Sequence, residues 1–228
     1  MWGYYGSKSK VVDKYPSPKY DKIIEPFAGT AQYSLKYFEK EVLLVDKYEV
    51  ITRVWQWLQK CSKKDILSLP RLKWGENVDN FTWDCDEAKW LIGFIIVGAP
   101  SQPKKTASRW KTVVRPNTQE YKLNLIADSL YKIRHWKVIQ GDYKDIENEK
   151  ATWFIDPPYE LGGQYYKYSN KDIDYKYLLK WSKSRLGESI VCENSNATWI
   201  KVKPIAEMRG NKLKSTECMA YYTLDNKK

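Results

Sequence analysis

Residues 152–159 read Thr-Trp-Phe-Ile-Asp-Pro-Pro-Tyr, a short apolar run followed by an acid, two prolines and an aromatic residue. An apolar run of this length between turn residues is typical of a buried strand in a parallel sheet. Proline lacks the N–H that a strand ladder needs, so the strand has to end before Pro157. Asp156 and Tyr159 are therefore predicted at the carboxyl end of a central strand, where open α/β sheets bind their ligands.

The residues after this strand suit a flat substrate that carries an exocyclic amine. The Asp156 carboxylate and the Pro157 carbonyl can each accept one hydrogen bond from the amine. Two such bonds draw the nitrogen lone pair out of the ring and toward an electrophile, while Tyr159 can stack on the ring. The same residues can also form a turn that only ends the strand and has no chemical role, since aspartate and proline are ordinary turn formers.

Two upstream stretches predict a nucleoside site. Residues 22–31, Lys-Ile-Ile-Glu-Pro-Phe-Ala-Gly-Thr-Ala, indicate a short strand, a tight turn at Gly29 and the start of a helix. Residues 41–46, Glu-Val-Leu-Leu-Val-Asp, indicate a second buried strand. Its last residue, Asp46, follows the first strand by about 20 residues, the place where nucleoside-binding α/β folds put an acid on the ribose hydroxyls. The glycine turn lacks the pattern of a dinucleotide or phosphate loop, which favours a nucleoside without polyphosphate.

The composition favours one basic domain that carries an insertion. The chain has 228 residues, enough for a single large core, and a formal net charge of +11. A positive surface gains affinity for phosphates by releasing their counterions. A lysine-rich coding bias explains the charge equally well, but it does not explain 11 tryptophans.

Several classes of protein are disfavoured by the sequence. It has no run of about 18 apolar residues that would predict a membrane span. Its first residues lack the apolar segment of a signal peptide. The 4 cysteines stand at irregular spacings beside a single histidine, which argues for a reducing cytoplasm and against a zinc site.

Five stretches together resemble the ordered motifs of the Dam-like DNA adenine-N6 methyltransferases. They are the Tyr-Gly-Ser-Lys of residues 5–8, the Glu-Pro-Phe-Ala-Gly-Thr-Ala of residues 25–31, Asp46, the Gly-Asp-Tyr of residues 141–143 and the Asp-Pro-Pro-Tyr of residues 156–159. The set is far more specific than any one member. It implies the fold of class I methyltransferases, a Rossmann-like α/β sheet of seven mostly parallel strands with helices on both faces.

The resemblance also implies a chemistry and its residues. S-adenosylmethionine would be the cofactor, no metal would be needed, and the methyl acceptor would be an adenine flipped out of DNA. The residues implied in catalysis are Asp156, Pro157, Pro158 and Tyr159. Those implied in cofactor binding are Tyr5, Gly6, Lys8, Glu25, Phe27, Gly29, Thr30, Asp46, Asp142 and Tyr143.

This family places its target-recognition segment between the second and third strands. In this chain that implies a catalytic domain of residues 1–60 and 137–228 and an inserted helical and loop segment of residues 61–136. Within the insertion, the stretch 100–111 is basic, broken by prolines and contains an aromatic residue, as expected of a segment that lies against phosphates. A solvated linker has a similar composition. The predicted nucleic-acid contacts are Lys104, Lys105, Arg109, Trp110 and Lys111.

Hydrophobic periodicity predicts the remaining elements. After Tyr159, a glycine-containing aromatic loop suits closure over a substrate. The predicted helices cover 47–60, 87–97, 121–134 and 175–185. The predicted later strands cover 137–143, 189–193, 201–208 and 218–224, with the last two as a hairpin joined by a basic turn at 209–214.

Three alternatives to adenine methylation remain open at this point. Methyltransferases that modify cytosine N4 in DNA or guanine N2 in ribosomal RNA also present Asp-Pro-Pro-Tyr to a planar amine. A catalytically silent DNA-binding homologue would usually have lost the acid or the aromatic residue, and both are present. The resemblance places the protein in the cytoplasm of a bacterial or phage-type host cell, with DNA as partner. It is compatible with a partner restriction enzyme and with either a monomer or a dimer.

Overall fold

The computed structural model describes residues 1–209 and 214–224. The chain forms two compact units, one made of Met1–Ser7 with Glu49–His135 and the other of Lys8–Tyr48 with Trp136–Lys228. The assignment of an inserted segment to target recognition stays a prediction. The described α-helices are α1 (Gln32–Lys36), α2 (Glu49–Leu58), α3 (Lys63–Leu67), α4 (Asp86–Ile95), α5 (Thr118–Ile133) and α6 (Tyr175–Lys183). None of them is long and apolar enough to cross a membrane.

The second unit is built on a seven-stranded sheet whose order is β3-β2-β1-β4-β5-β7-β6. Strand β7 runs antiparallel to both of its neighbours, and all other neighbouring strands are parallel. The predicted Rossmann-like α/β class and the final hairpin of β6 and β7 are therefore confirmed. The strands are β1 (Lys22–Glu25), β2 (Glu41–Asp46), β3 (Lys137–Gln140), β4 (Ala151–Ile155), β5 (Gly187–Asn194), β6 (Lys203–Arg209) and β7 (Lys214–Leu224).

The central strand β4 is covered by a helix on each side, as the sequence predicted. All five of its residues are buried. Because successive strand residues point to opposite faces, Trp153 and Phe154 reach different layers. Trp153 packs edge-to-face against Trp181 of α6, and Phe154 stacks on Tyr33 of α1 with 4.3 Å between ring centres. This double coverage explains why the strand reads as a continuous apolar run.

Two predicted element ends are corrected by the structure. The third strand ends at Gln140 instead of residue 143, because Asp142 accepts a hydrogen bond from the Lys144 N–H and caps a short 3₁₀ turn. The last strand begins at Lys214 instead of residue 218, because residues 214–217 already pair with β6. The predicted basic turn at 209–214 has its residues 210–213 outside the described residues.

The first unit is helical, and the N-terminus packs into it. The ring of Trp2 lies 5.0 Å from that of Trp55 on α2 and 6.1 Å from that of Phe94 on α4. On α5, the side-chain amide of Gln119 exchanges two hydrogen bonds with the backbone of Leu72. Three predicted helices of this unit are confirmed within a few residues as α2, α4 and α5. The predicted loop 100–111 ends before Trp110, because residues 110–114 form a π-helical turn.

Candidate active site

The acids singled out in the sequence end up along one edge of the sheet. Glu25 ends β1, Asp46 ends β2 and Asp156 directly follows β4. These three strands are parallel neighbours, so their carboxyl ends meet at the same edge. Asp142 follows β3, which continues the same parallel set next to β2. The sheet therefore gathers four carboxylates at the edge where such folds bind ligands.

Asp156 is held by a buried lysine. Its Oδ1 lies 2.7 Å from Lys8 Nζ, and only 7% of the Lys8 side chain is exposed. Burial raises the pKa of Asp156 to about 6, the Lys8 charge opposes that rise, and Glu217 adds to it. Burial lowers the pKa of Lys8, but Asp156 and Glu217 outweigh it and raise that pKa above its usual range. Lys8 is therefore held as a cation beside the Asp-Pro-Pro-Tyr motif.

Tyr159 is fixed from the last strand of the sheet. Its hydroxyl donates a hydrogen bond to Glu217 of β7, which also accepts one from the hydroxyl of Tyr15. Lys8 Nζ lies 4.8 Å from the centre of the Tyr159 ring and 3.8 Å from Glu217 Oε1. Asp156, Tyr159, Lys8, Glu217 and Tyr15 form one connected polar cluster, named here the Lys8 cluster.

Sequence reasoning missed Glu217 and Tyr15. Glu217 reaches the carboxyl edge because β7 runs antiparallel to β5 and pairs Glu217 with Asn194, the last residue of β5. The available sequence signal was an acid placed directly before a predicted apolar strand. In the structure Glu217 is only 7% exposed. Such a buried acid requires partners, and here two tyrosine hydroxyls supply them.

The turn after β1 is fastened to the end of β2. Gly29 has φ +45°, a conformation that glycine adopts readily, and its N–H donates to Asp46 Oδ2 at 3.0 Å. Asp46 Oδ1 accepts from the Tyr48 N–H at 2.9 Å. Burial raises the pKa of Asp46 to about 6 in spite of these two bonds. The neighbouring Thr30 is 3% exposed.

Glu25 is buried behind the same turn. Its Oε1 accepts a hydrogen bond from the Ser34 N–H at 2.8 Å, one of the first N–H groups of α1. Burial is the main cause that raises the pKa of Glu25 to about 8. Burial therefore favours the neutral form of this carboxyl.

The remaining residues predicted for the cofactor fall in different places. Asp142 pairs with Lys47 at 3.0 Å. The Tyr143 ring is buried and lies 5.1 Å from the ring of Phe27. Its hydroxyl is buried without a hydrogen-bond partner among the residues described. Tyr5 and Gly6 belong to the first unit, and the other eight predicted residues belong to the second.

The chain after Tyr159 is tied down at several points. The Pro158 carbonyl accepts a hydrogen bond from the Tyr175 hydroxyl at 2.7 Å. The Glu160 N–H donates to Glu193 Oε2, and its carbonyl accepts from the side chain of Asn170. A Cβ at Gly163 would come within 3.0 Å of the Pro158 backbone, so only a glycine fits there without displacement. The two prolines therefore have a fixed position between β4 and this loop.

The predicted nucleic-acid contacts all lie in the first unit. Lys105 pairs with Asp79 at 2.9 Å. Arg109 and Trp110 are exposed and Lys111 is half-buried, whereas the backbone N–H of Lys104 donates to the Gly93 carbonyl at 3.0 Å.

Comparison with known proteins returns little. No protein-family model matches the chain, and no curated protein matches it. One solved structure that does match is yhhF from Escherichia coli, which is assigned as a methyltransferase; the two are 9% identical, the TM-score is 0.38, and the match covers 95% of this chain and 81% of the other. A function for this chain therefore has to be inferred from its own site residues.

Proposed function

We propose that the protein is an S-adenosylmethionine-dependent methyltransferase that modifies adenine N6 in DNA. The observation that carries the proposal is the Asp-Pro-Pro-Tyr motif at the carboxyl end of β4, with its carboxylate and its aromatic ring held in one cluster. Lys8 contacts both Asp156 and Tyr159, and Glu217 fixes the Tyr159 hydroxyl. A turn with no chemical role would not require a buried cation and a buried acid to support it.

The motif suits an aromatic amine in three ways. A carboxylate can accept about four hydrogen bonds, so Asp156 keeps capacity for an amine hydrogen after it has bound Lys8. The Pro157 carbonyl can accept the second amine hydrogen, and the Tyr159 ring can stack on the base. Alignment of the amine with its electrophile supplies much of the rate. A strong general base is unnecessary, because the methylated amine is acidic enough to lose its extra proton afterwards.

The residues along the sheet edge fit S-adenosylmethionine, which supplies an electrophilic methyl group on its sulfonium. Tyr143 offers a buried hydroxyl that lacks a partner among the described residues. Asp46 can accept further bonds from ribose hydroxyls beyond those from Gly29 and Tyr48. The buried carboxyl of Glu25 suits a cationic amine, which would hold it in its ionised form. The tight turn at Gly29 has no side chain there, so a ligand can approach the backbone closely.

The experiment is incubation of the purified protein with labelled S-adenosylmethionine and unmethylated genomic DNA, followed by nucleoside mass spectrometry. N6-methyladenine is the expected product, and protein with Asp156→Ala is the control. If N4-methylcytosine is formed, the methyl acceptor is cytosine in DNA. If methylated guanine is formed after incubation with ribosomal RNA, the substrate is RNA. DNA binding without cofactor binding or methylation would identify a silent homologue.

The activity is expected to have an acidic limb set by Asp156. Because its pKa is raised to about 6, the carboxyl is neutral below that pH and ionised above it. Its protonated form is a weaker acceptor, so kcat at saturating DNA and cofactor should fall about tenfold per pH unit below pH 6. Asp46 titrates in the same range, and Asp46→Asn is the matched control. That variant should alter KM for the cofactor and leave the limb in kcat; loss of the limb would contradict the assignment to Asp156.

Glu217 is expected to act as a positioning residue through Tyr159. Glu217→Leu and Tyr159→Phe remove the same hydrogen bond from opposite ends, so each should lower kcat by about tenfold and the double variant by little more. KM for the cofactor should stay unchanged in all three. Tyr15→Phe removes the other hydroxyl on Glu217 and should have the smaller effect. Losses that multiply in the double variant would show that Glu217 does not work through Tyr159.

A further inference from the structure

Two pairs of an indole and a guanidinium group lie on the surface of the first unit. Trp74 is 62% exposed and Trp110 is 51% exposed. The guanidinium of Arg109 lies 5.9 Å from the Trp74 ring centre, and that of Arg115 lies 5.1 Å from the Trp110 ring centre. These four residues are named here the Trp–Arg row.

The row is built on a paired backbone. The Gly75 N–H donates to the Ala107 carbonyl at 3.1 Å, and the Ala107 N–H donates to the Glu76 carbonyl at 2.9 Å. This pairing sets Trp74 beside the start of the π-helical turn. The same segment is anchored on α4 at Gly93, where an added Cβ would come within 2.8 Å of the Lys104 carbonyl. The indoles are therefore presented by a fixed scaffold instead of a loose linker.

The charge around the row is positive and largely uncompensated. From residue 100 to residue 119 the chain has five basic residues and no acid. Within residues 1–209 and 214–224, no ion pair forms with Arg109, Lys111 or Arg115. Burial and then the nearby Arg115 lower the pKa of Lys111. A protein that keeps like charges together at an exposed aromatic surface is suited to an anionic partner.

We infer that the Trp–Arg row binds unpaired DNA, with bases stacked on its indoles and phosphates held by its cations. An indole face accepts any base, and the energy of such stacking does not depend on sequence. The two arginines that now cover the rings can turn to phosphates or stack in turn on bases. The inference rests on the proposed function, from which it takes DNA as the polymer. It adds that the bound DNA is single-stranded.

A duplex is a poorer match for this surface. Its bases are already stacked on one another, and its backbone is contacted by cations without help from exposed indoles. Tryptophan and arginine are also common in protein interfaces, but five basic residues without an acid between residues 100 and 119 favour a polyanion over a protein. Unpaired nucleotides offer both the aromatic faces and the phosphates that the row can recognise.

The test measures fluorescence anisotropy of a labelled single-stranded oligonucleotide and of the same sequence in a hairpin duplex, without cofactor. Trp74→Ala and Trp110→Ala should each weaken single-strand binding about tenfold or more and change duplex binding by less than about threefold. The matched control is Tyr131→Ala on α5, which removes an aromatic ring that is 64% exposed and has Lys132 over it. That control should leave both affinities unchanged. Both indoles are more than half exposed, and thermal unfolding of each variant verifies that the fold is kept.

Equal losses on single strand and duplex, or no loss on either, would overturn the inference. Tighter binding of the same sequence as RNA would overturn the assignment to DNA. Because binding is read without methyl transfer, the two proposals fail separately. Tryptophan-dependent binding of single strands by a protein that methylates no base would remove the proposed function and keep this surface; methylation with unchanged binding in both variants would do the reverse.

Discussion

Replacement of Asp156 by alanine is expected to reduce methyl transfer by about a thousandfold or more, the scale of losing an acceptor aimed at the reacting group. The variant removes the acceptor that aligns the amine, and it leaves Lys8 with Glu217 as its nearest carboxylate, 3.8 Å away. Single-turnover rates with saturating DNA and cofactor measure the loss at the chemical step. Equilibrium dialysis of labelled S-adenosylmethionine should show an affinity close to that of the wild type.

Asp156→Asn is the matched control for this experiment. It keeps a carbonyl acceptor and the side-chain shape but removes the charge, so it should retain more activity than the alanine variant. A parallel loss of methyl transfer and cofactor binding in Asp156→Ala would contradict a role at the amine. It would instead indicate that this carboxylate supports the cofactor site.

Replacement of Lys8 by methionine is expected to have the largest effect on stability. Without the ammonium, Asp156 and Glu217 remain close together at a largely buried site, and breaking such a pair costs about 3 kcal/mol. The folded-state pKa of Asp156, already raised to about 6, should rise further. Folding then favours the protonated acid, so the loss of stability should be greatest near pH 8 and should shrink as the pH falls toward 5.

Urea unfolding at pH 8 and at pH 5 measures this effect, with Lys10→Met as the control. Lys10 belongs to the same short 3₁₀ turn as Lys8 but is exposed, and it should change stability little at either pH. The acidic limb of kcat should move upward by about one pH unit or more in Lys8→Met. An equal loss of stability at both pH values would show that lost packing, and not charge, dominates.

The strands that carry the motifs were predictable because their signals are local. The apolar runs before Glu25, Asp46 and Asp156 each have the length of a strand, and each ends in residues that stop one. The parallel order then follows from the alternation of strands with helical segments. The end of the third strand was not predictable in this way, since the cap formed by Asp142 competes with strand pairing over only two residues.

The parts of the Lys8 cluster were less predictable because they meet through long-range register. Lys8 and Tyr15 precede the first strand, whereas Glu217 lies 202 residues after Tyr15. No local sequence pattern indicates a contact between residues so far apart in the chain. The sequence suggested Lys8 for the cofactor, and the structure places its ammonium on Asp156. Its part in cofactor binding stays a prediction, as do the cofactor and nucleic-acid contacts of the other residues.

The reversed direction of β7 sets the order in which the Lys8 cluster can form during synthesis. Residues that bear the motif leave the ribosome well before β7, and the parallel core from β3 to β5 can pair without it. Tyr159 gains its partner only when Glu217 of β7 has been made and has docked against β5. A nascent chain that has folded its first five strands would therefore hold the carboxyl edge of its parallel strands before the Tyr159 ring is fixed. The Tyr159 ring is therefore fixed late in the maturation of this fold, when β7 pairs with β5.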